Sequence, residues 1–128
     1  MTTGSKSNEV FQFKITLNNS EPRIWRRVQV SFDYTFFDLY CAIEDAVGWA
    51  GGHLHAFYVE RKGSKDRVVI EFPNPEMDAS PYIETRDERK EKIADYFGKI
   101  CKQCVYCYDM GDSWYHTILF ERVIPRED

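Results

Sequence analysis

Two short stretches concentrate the residues able to do chemistry. "HLH" places His53 and His55 one residue apart, and "YDMGDSWYH", Tyr108 to His116, adds Asp109, Asp112, Trp114 and the third histidine, His116. In a strand, His53 and His55 share one face about 7 Å apart at the backbone, within reach of one metal ion or one anion. Neutral imidazoles and carboxylates suit zinc or manganese, and an open coordination position would activate water. His53, His55, His116 and Asp112, with Asp109 beside them, are therefore candidate ligands for a metal-dependent hydrolase or nuclease. The plainer reading has two half-exposed histidines flanking Leu54 and a turn in which Gly111 takes a conformation other residues resist. Asp109 and Asp112 then bond nearby backbone amides. Trp114 and His116 are not needed for a turn and require either a core or a ligand.

Known catalytic patterns are missing: there is no Gly-x-Ser-x-Gly, P-loop, His-Glu-x-x-His or Rossmann glycine pattern. A calcium loop counted from Asp109 fails, because Phe120 stands at position 12 where a bidentate Glu is required. The reading favoured by these residues is a non-catalytic binding or accessory module. Its groove would be lined by Trp25, Arg26, Trp49, Trp114 and the histidines, with an unknown small ligand or protein as partner and no cofactor required. The alternating Arg23, Trp25 and Arg27 suggest a stacking platform for nucleic acid, but the net charge of −4 is the wrong sign for phosphate neutralisation. Those side chains can equally cover an outer sheet face, with their stems packed on Trp25.

Cys101, Cys104 and Cys107 have the C-x2-C-x2-C spacing that opens some iron–sulfur runs, yet no fourth Cys or Pro follows. In an extended strand Cys101 and Cys107 lie roughly 20 Å apart, with Cys104 on the opposite face, so one ion could not reach all three. Packing thiols are expected.

The elements that must position these residues follow from periodicity. Phe11, Phe13, Ile15 and Leu17 alternate with polar residues, as do Ile24, Arg26, Val28 and Val30, giving two strands around the "NNSEP" turn. In "TFFDLYCAIEDAVGW" the period changes: Phe36, Leu39, Ile43 and Val47 predict a helix capped by Thr35 and closed by Gly48. Residues 53–60 and "RVVIEF" form a hairpin, and the proline-rich "PNPEMDASP" a loop. A second helix is expected over "TRDERKEKIADYFG", where Thr85 and Glu88 have capping-box spacing, Gly98 ends the segment, and Ile93 and Phe97 face inward. "ICKQCVYCYD" and "WYHTILFERV" complete a last hairpin. The predicted order is β-β-α-β-β-α-β-β, an α+β domain with a mostly antiparallel sheet and two helices on one face.

With 128 residues, 43% hydrophobic and 30% charged, one ordinary globular domain is expected, with a tail over residues 1–9 and the domain over 10–128. The polar "MTTGSKSNEV" lacks the features of a secretory signal, and no run approaches the roughly 18 apolar residues of a membrane span. The expected compartment is the cytoplasm, where thiols stay reduced.

Taken together, "EPRIWRRVQV", "TFFDLYCAIEDAVGW", "GGHLHAFYV" and "YCYDMGDSWYHTILFERV" resemble the family named after the third open reading frame of the root-inducing plasmid, over Phe11 to about Ile124. The resemblance implies an α+β fold of uncharacterised function, occurring on plasmids and mobile elements as well as chromosomes, with no established catalytic residues. Members typically read Asp-Phe-Gly-Asp where this chain has Met110, and often carry a histidine at the helix position of Tyr40. The second departure removes one possible ligand.

Overall fold

In the computed structural model, residues 9–48, 54–61, 67–72, 84–109 and 114–125 are described. Two strands, β1 (Glu9–Leu17) and β2 (Trp25–Ser31), lead into helix α1 (Phe36–Val47). Then come β3 (His55–Glu60), β4 (Arg67–Glu71), β5 (Glu84–Asp87), a 3-10 turn at Ile93–Asp95, β6 (Gln103–Tyr108) and β7 (Trp114–Pro125). All seven strands join one sheet in the order β2-β1-β7-β6-β3-β4-β5. Every pairing is antiparallel except β4 with β5, which is parallel. No helix among the described residues is long and apolar enough to cross a membrane.

Helix α1 forms where its caps dictate. The Thr35 hydroxyl accepts from the Asp38 amide while the Asp38 carboxylate accepts from the Thr35 amide, and Gly48 closes the last turn at φ 79°. Phe36, Leu39 and Ile43 bury one stripe against the inner sheet face, where Phe11, Phe13, Ile15, Phe57, Val59 and Ile118 point up from alternate strand positions. Phe13 meets Phe97 edge-on at 4.7 Å, and Phe36 meets Phe57 at 5.1 Å, so much of the aromatic excess is core.

The expected α+β arrangement with two helices is overturned: the described residues form mainly a seven-stranded mixed sheet with one α-helix. Instead of a second helix, Glu84–Asp87 is an edge strand, followed by a turn and the single 3-10 turn. Tertiary bonds outcompete helical ones here. The Glu88 and Glu91 carbonyls accept from Phe37 and Phe36 at the start of α1, and the Ile93 amide donates to Tyr34 O. Arg86 is held by Glu84, Glu91 and the Tyr96 hydroxyl, while Asp87 accepts both the Arg89 amide and its guanidinium. Ile93 and Phe97 nevertheless face the core, and Gly98 does take a left-handed φ of 87°.

Candidate functional site

Beneath the C-terminal half of α1 the inner sheet face turns polar. Strands β3, β6 and β7 are neighbours, and their registers set Phe57 opposite Tyr106 and Tyr106 opposite His116. Thus His55 on β3 and His116 on β7 lie on either side of Tyr106, whose ring centroid is 6.2 Å from one imidazole and 5.5 Å from the other. The His55 Nε2–H donates to both oxygens of Glu88, at 2.7 and 3.0 Å, in a pair where Glu88 is wholly buried. Tyr40, one helical turn before Glu44, stacks flat on His55 at 3.6 Å with an interplanar angle of 6°. From the same helix face, Glu44 accepts the Tyr106 hydroxyl at 3.3 Å. Glu88, His55, Tyr40, Tyr106, Glu44 and His116 form one buried polar row.

Burial, and then the Glu44 charge, push the Tyr106 hydroxyl far above the ordinary phenol range, so it remains a donor. Burial lowers His116 below the usual imidazole value, partly opposed by backbone bonds at Tyr106 and Trp114, and the ring is therefore neutral at neutral pH. Near Glu88, whose amide donates to Glu71 O, the Glu71 carboxyl is raised by burial and by the Glu88 charge, with His55 opposing.

The row ends at His116, which is buried and lines the inner end of a cavity. This cavity of about 240 Å³ opens under the end of α1, walled by Ile15, Leu17, Ile24 and Val47. Its polar groups are His116 and Arg26, which sits on the inner face of β2 opposite Ile15. The Arg26 side chain is exposed and donates to Trp25 O at 2.8 Å; no carboxylate among the described residues pairs with it.

Of the residues singled out from sequence, Arg26 and His116 meet in this cavity and His55 belongs to the row behind it. Trp25 borders the cavity, but its indole carries Lys14 Nζ at 4.9 Å and the Arg27 guanidinium at 5.1 Å on the outer sheet face. Arg27 in turn pairs with Glu121 at 2.8 Å, so one of the two cations on that aromatic face is already neutralised. Asp109, at φ 57°, donates its amide to Leu54 O at 2.8 Å and joins the loop end of β6 to the start of β3. Trp114 is 41% exposed at the start of β7. Trp49, His53 and Asp112 lie outside the described residues. Among the described residues no three of His, Cys, Asp and Glu converge on a metal position. Nor does any cysteine there form a disulfide. Burial drives the Cys104 thiol well above its ordinary value and Cys101 to about 11, which suits packing rather than nucleophilic roles.

Glu44, Glu88 and Tyr106 were not singled out as site residues in the sequence, and Tyr40 was marked only as the position where the family resemblance implies a possible ligand histidine. A further usable signal was Tyr40 and Glu44 at i, i+4 on the apolar stripe of α1, since polar groups on a buried stripe need partners.

A model of the family described as plasmid pRiA4b ORF-3-like protein matches residues 9–128. The uncharacterized protein y4hQ of Sinorhizobium fredii is 32% identical over 116 residues, which cover 91% of this chain and 55% of that protein. The chain thus spans about half the length of this curated relative. Among solved structures, the protein of unknown function MM3350 from Methanosarcina mazei Go1 superposes with a TM-score of 0.81 at 32% identity, covering 94% of this chain and 63% of that one.

Proposed function

The chain belongs to the plasmid pRiA4b ORF-3-like family, and from that premise we propose that it is a non-catalytic binding module for a small apolar molecule bearing one carboxylate. The observation that carries this reading is the cavity in which four aliphatic walls meet one guanidinium and one buried neutral imidazole. Such sites bind by apolar enclosure and are oriented by a few polar groups. Arg26 supplies a fork of donors matched to a carboxylate, and His116 lines the inner end as a buried neutral imidazole. A cavity of about 240 Å³ limits the ligand to a short acyl or single-ring acid. The buried row behind His116, in which Glu88 holds His55 and Glu44 accepts from Tyr106, positions that imidazole's surroundings, because hydrogen bonds in a low dielectric are strong and directional.

Calorimetric titration with hexanoate and benzoate tests the reading. Binding to the parent protein that falls at least about tenfold in Arg26→Gln supports it, since a charge-assisted pair is lost. Equal affinity in both proteins, or no heat with either acid, contradicts it.

A further inference from the structure

A second concavity lies on the far side of the sheet's inner layer, where the turn after Phe97 meets β7. Gly98, Lys99, Ile100, Cys101 and Lys102 form one wall, Phe120 the floor, and Arg61 the opposite rim of an open groove of about 740 Å³. Its charge is unbalanced. The two acids bordering it are already engaged: Glu121 pairs with Arg27 at 2.8 Å and Glu60 with Arg67 at 3.5 Å. Arg61 pairs with Glu84 at 3.0 Å. Lys99 and Lys102 are exposed, and among the described residues neither meets a carboxylate. Phe120 is half-buried, packing on Phe11 at 4.8 Å while also bordering the groove, and Ile100 extends the apolar floor. The Cys101 thiol, raised to about 11 by burial, adds no negative charge there.

We propose that this groove binds a phosphate monoester on a planar body, a ligand of mononucleotide size. Two unpaired ammonium groups match the roughly two negative charges of a phosphate monoester near neutral pH. The floor of Phe120 and Ile100 offers a flat ring an apolar seat, and the volume falls within the range of about 300–1,000 Å³ usual for small-molecule sites. The cavity at Arg26 is elsewhere on the sheet and plays no part in this inference.

The test follows backbone amide shifts of the whole chain during titration with adenosine 5′-monophosphate at low salt. Saturable shifts at Gly98, Lys99, Ile100, Lys102 and Phe120 are expected, with adenosine at least about tenfold weaker because it lacks the charge. The double variant Lys99→Gln, Lys102→Gln weakens the nucleotide at least about tenfold, Lys90→Gln leaves it unchanged, and added salt weakens it further. Absence of shifts in the groove, equal binding of adenosine, or undiminished affinity in the double variant with a native amide spectrum would each overturn the assignment.

Discussion

One helix covers two different interiors. Under the first turns of α1, Phe36 meets Phe57, Tyr96 and Phe97, and neighbouring strands add Phe11 and Phe13. Under its later turns, Tyr40 and Glu44 face His55, Tyr106 and Glu88. Both interiors are buried, but they are held differently. The aromatic end gains from every ångström of apolar area removed from water and is tolerant of direction. The polar end must recover the desolvation of two carboxylates, two imidazoles and two phenols through bonds of fixed geometry, and buried ion pairs commonly gain little over apolar packing of the same volume. A chain that needed only stability would have extended the phenylalanines. The polar row is placed behind a cavity instead, which is why we assign it a positioning role.

The largest effect that sharpens this contrast is expected in the aromatic end. Phe13 is completely buried, and Phe13→Ala should cost about 4 kcal/mol in urea unfolding through lost burial and a residual cavity. In the polar end, Glu88→Ala should cost about 3 kcal/mol, because His55 keeps its buried position without that carboxylate. The diagnostic variant is the double one: His55→Leu with Glu88→Leu should return to within about 1 kcal/mol of the parent or exceed it, as apolar replacement of buried pairs often does. If the double variant is instead as unstable as Glu88→Ala, the pair is a source of stability and the contrast between the two ends collapses.

A smaller effect is linked to pH. Burial holds His116 below the ordinary imidazole value, so as the pH falls through that value the unfolded chain binds a proton that the folded chain does not. Stability contributed by the neutral ring is therefore present above about pH 6.5 and lost progressively below it. Urea midpoints followed from neutral to mildly acidic pH should decline, and His116→Gln should decline less steeply. Glu71 runs the other way: its carboxyl is raised by burial, so its ionised form opposes folding at neutral pH, and Glu71→Gln should raise the midpoint there while changing little in acid. The smallest effect on stability is expected at exposed Arg26, where Arg26→Gln should stay within about 0.5 kcal/mol of the parent while binding is lost.

How much of this was legible in the sequence differs between the two ends for the same physical reason. Alternation along Phe11 to Leu17 and the 3.6-residue recurrence of Phe36, Leu39 and Ile43 are local signals, and they place β1, α1 and the apolar core directly. The segment from Thr85 to Gly98 carried equally good local signals for a helix, yet its backbone bonds to Tyr34, Phe36 and Phe37 lie far away in the chain and prevail. Glu88, readable as an exposed capping acid, is instead drawn to His55, 33 residues away, and Tyr106 finds Glu44 at a separation of 62. His55, His116 and Arg26 could be named from residue type; their partners could not, since no period or spacing encodes a contact across the sheet.

The account rests on His116 as the point where the buried row meets a ligand, and its imidazole resonances report that directly. During a hexanoate titration watched by proton–nitrogen correlation of the histidine rings, the His116 signals should shift and saturate in the parent protein and stay still in Arg26→Gln. Unmoved His116 signals in the parent, or the same saturating shift in Arg26→Gln, would contradict it.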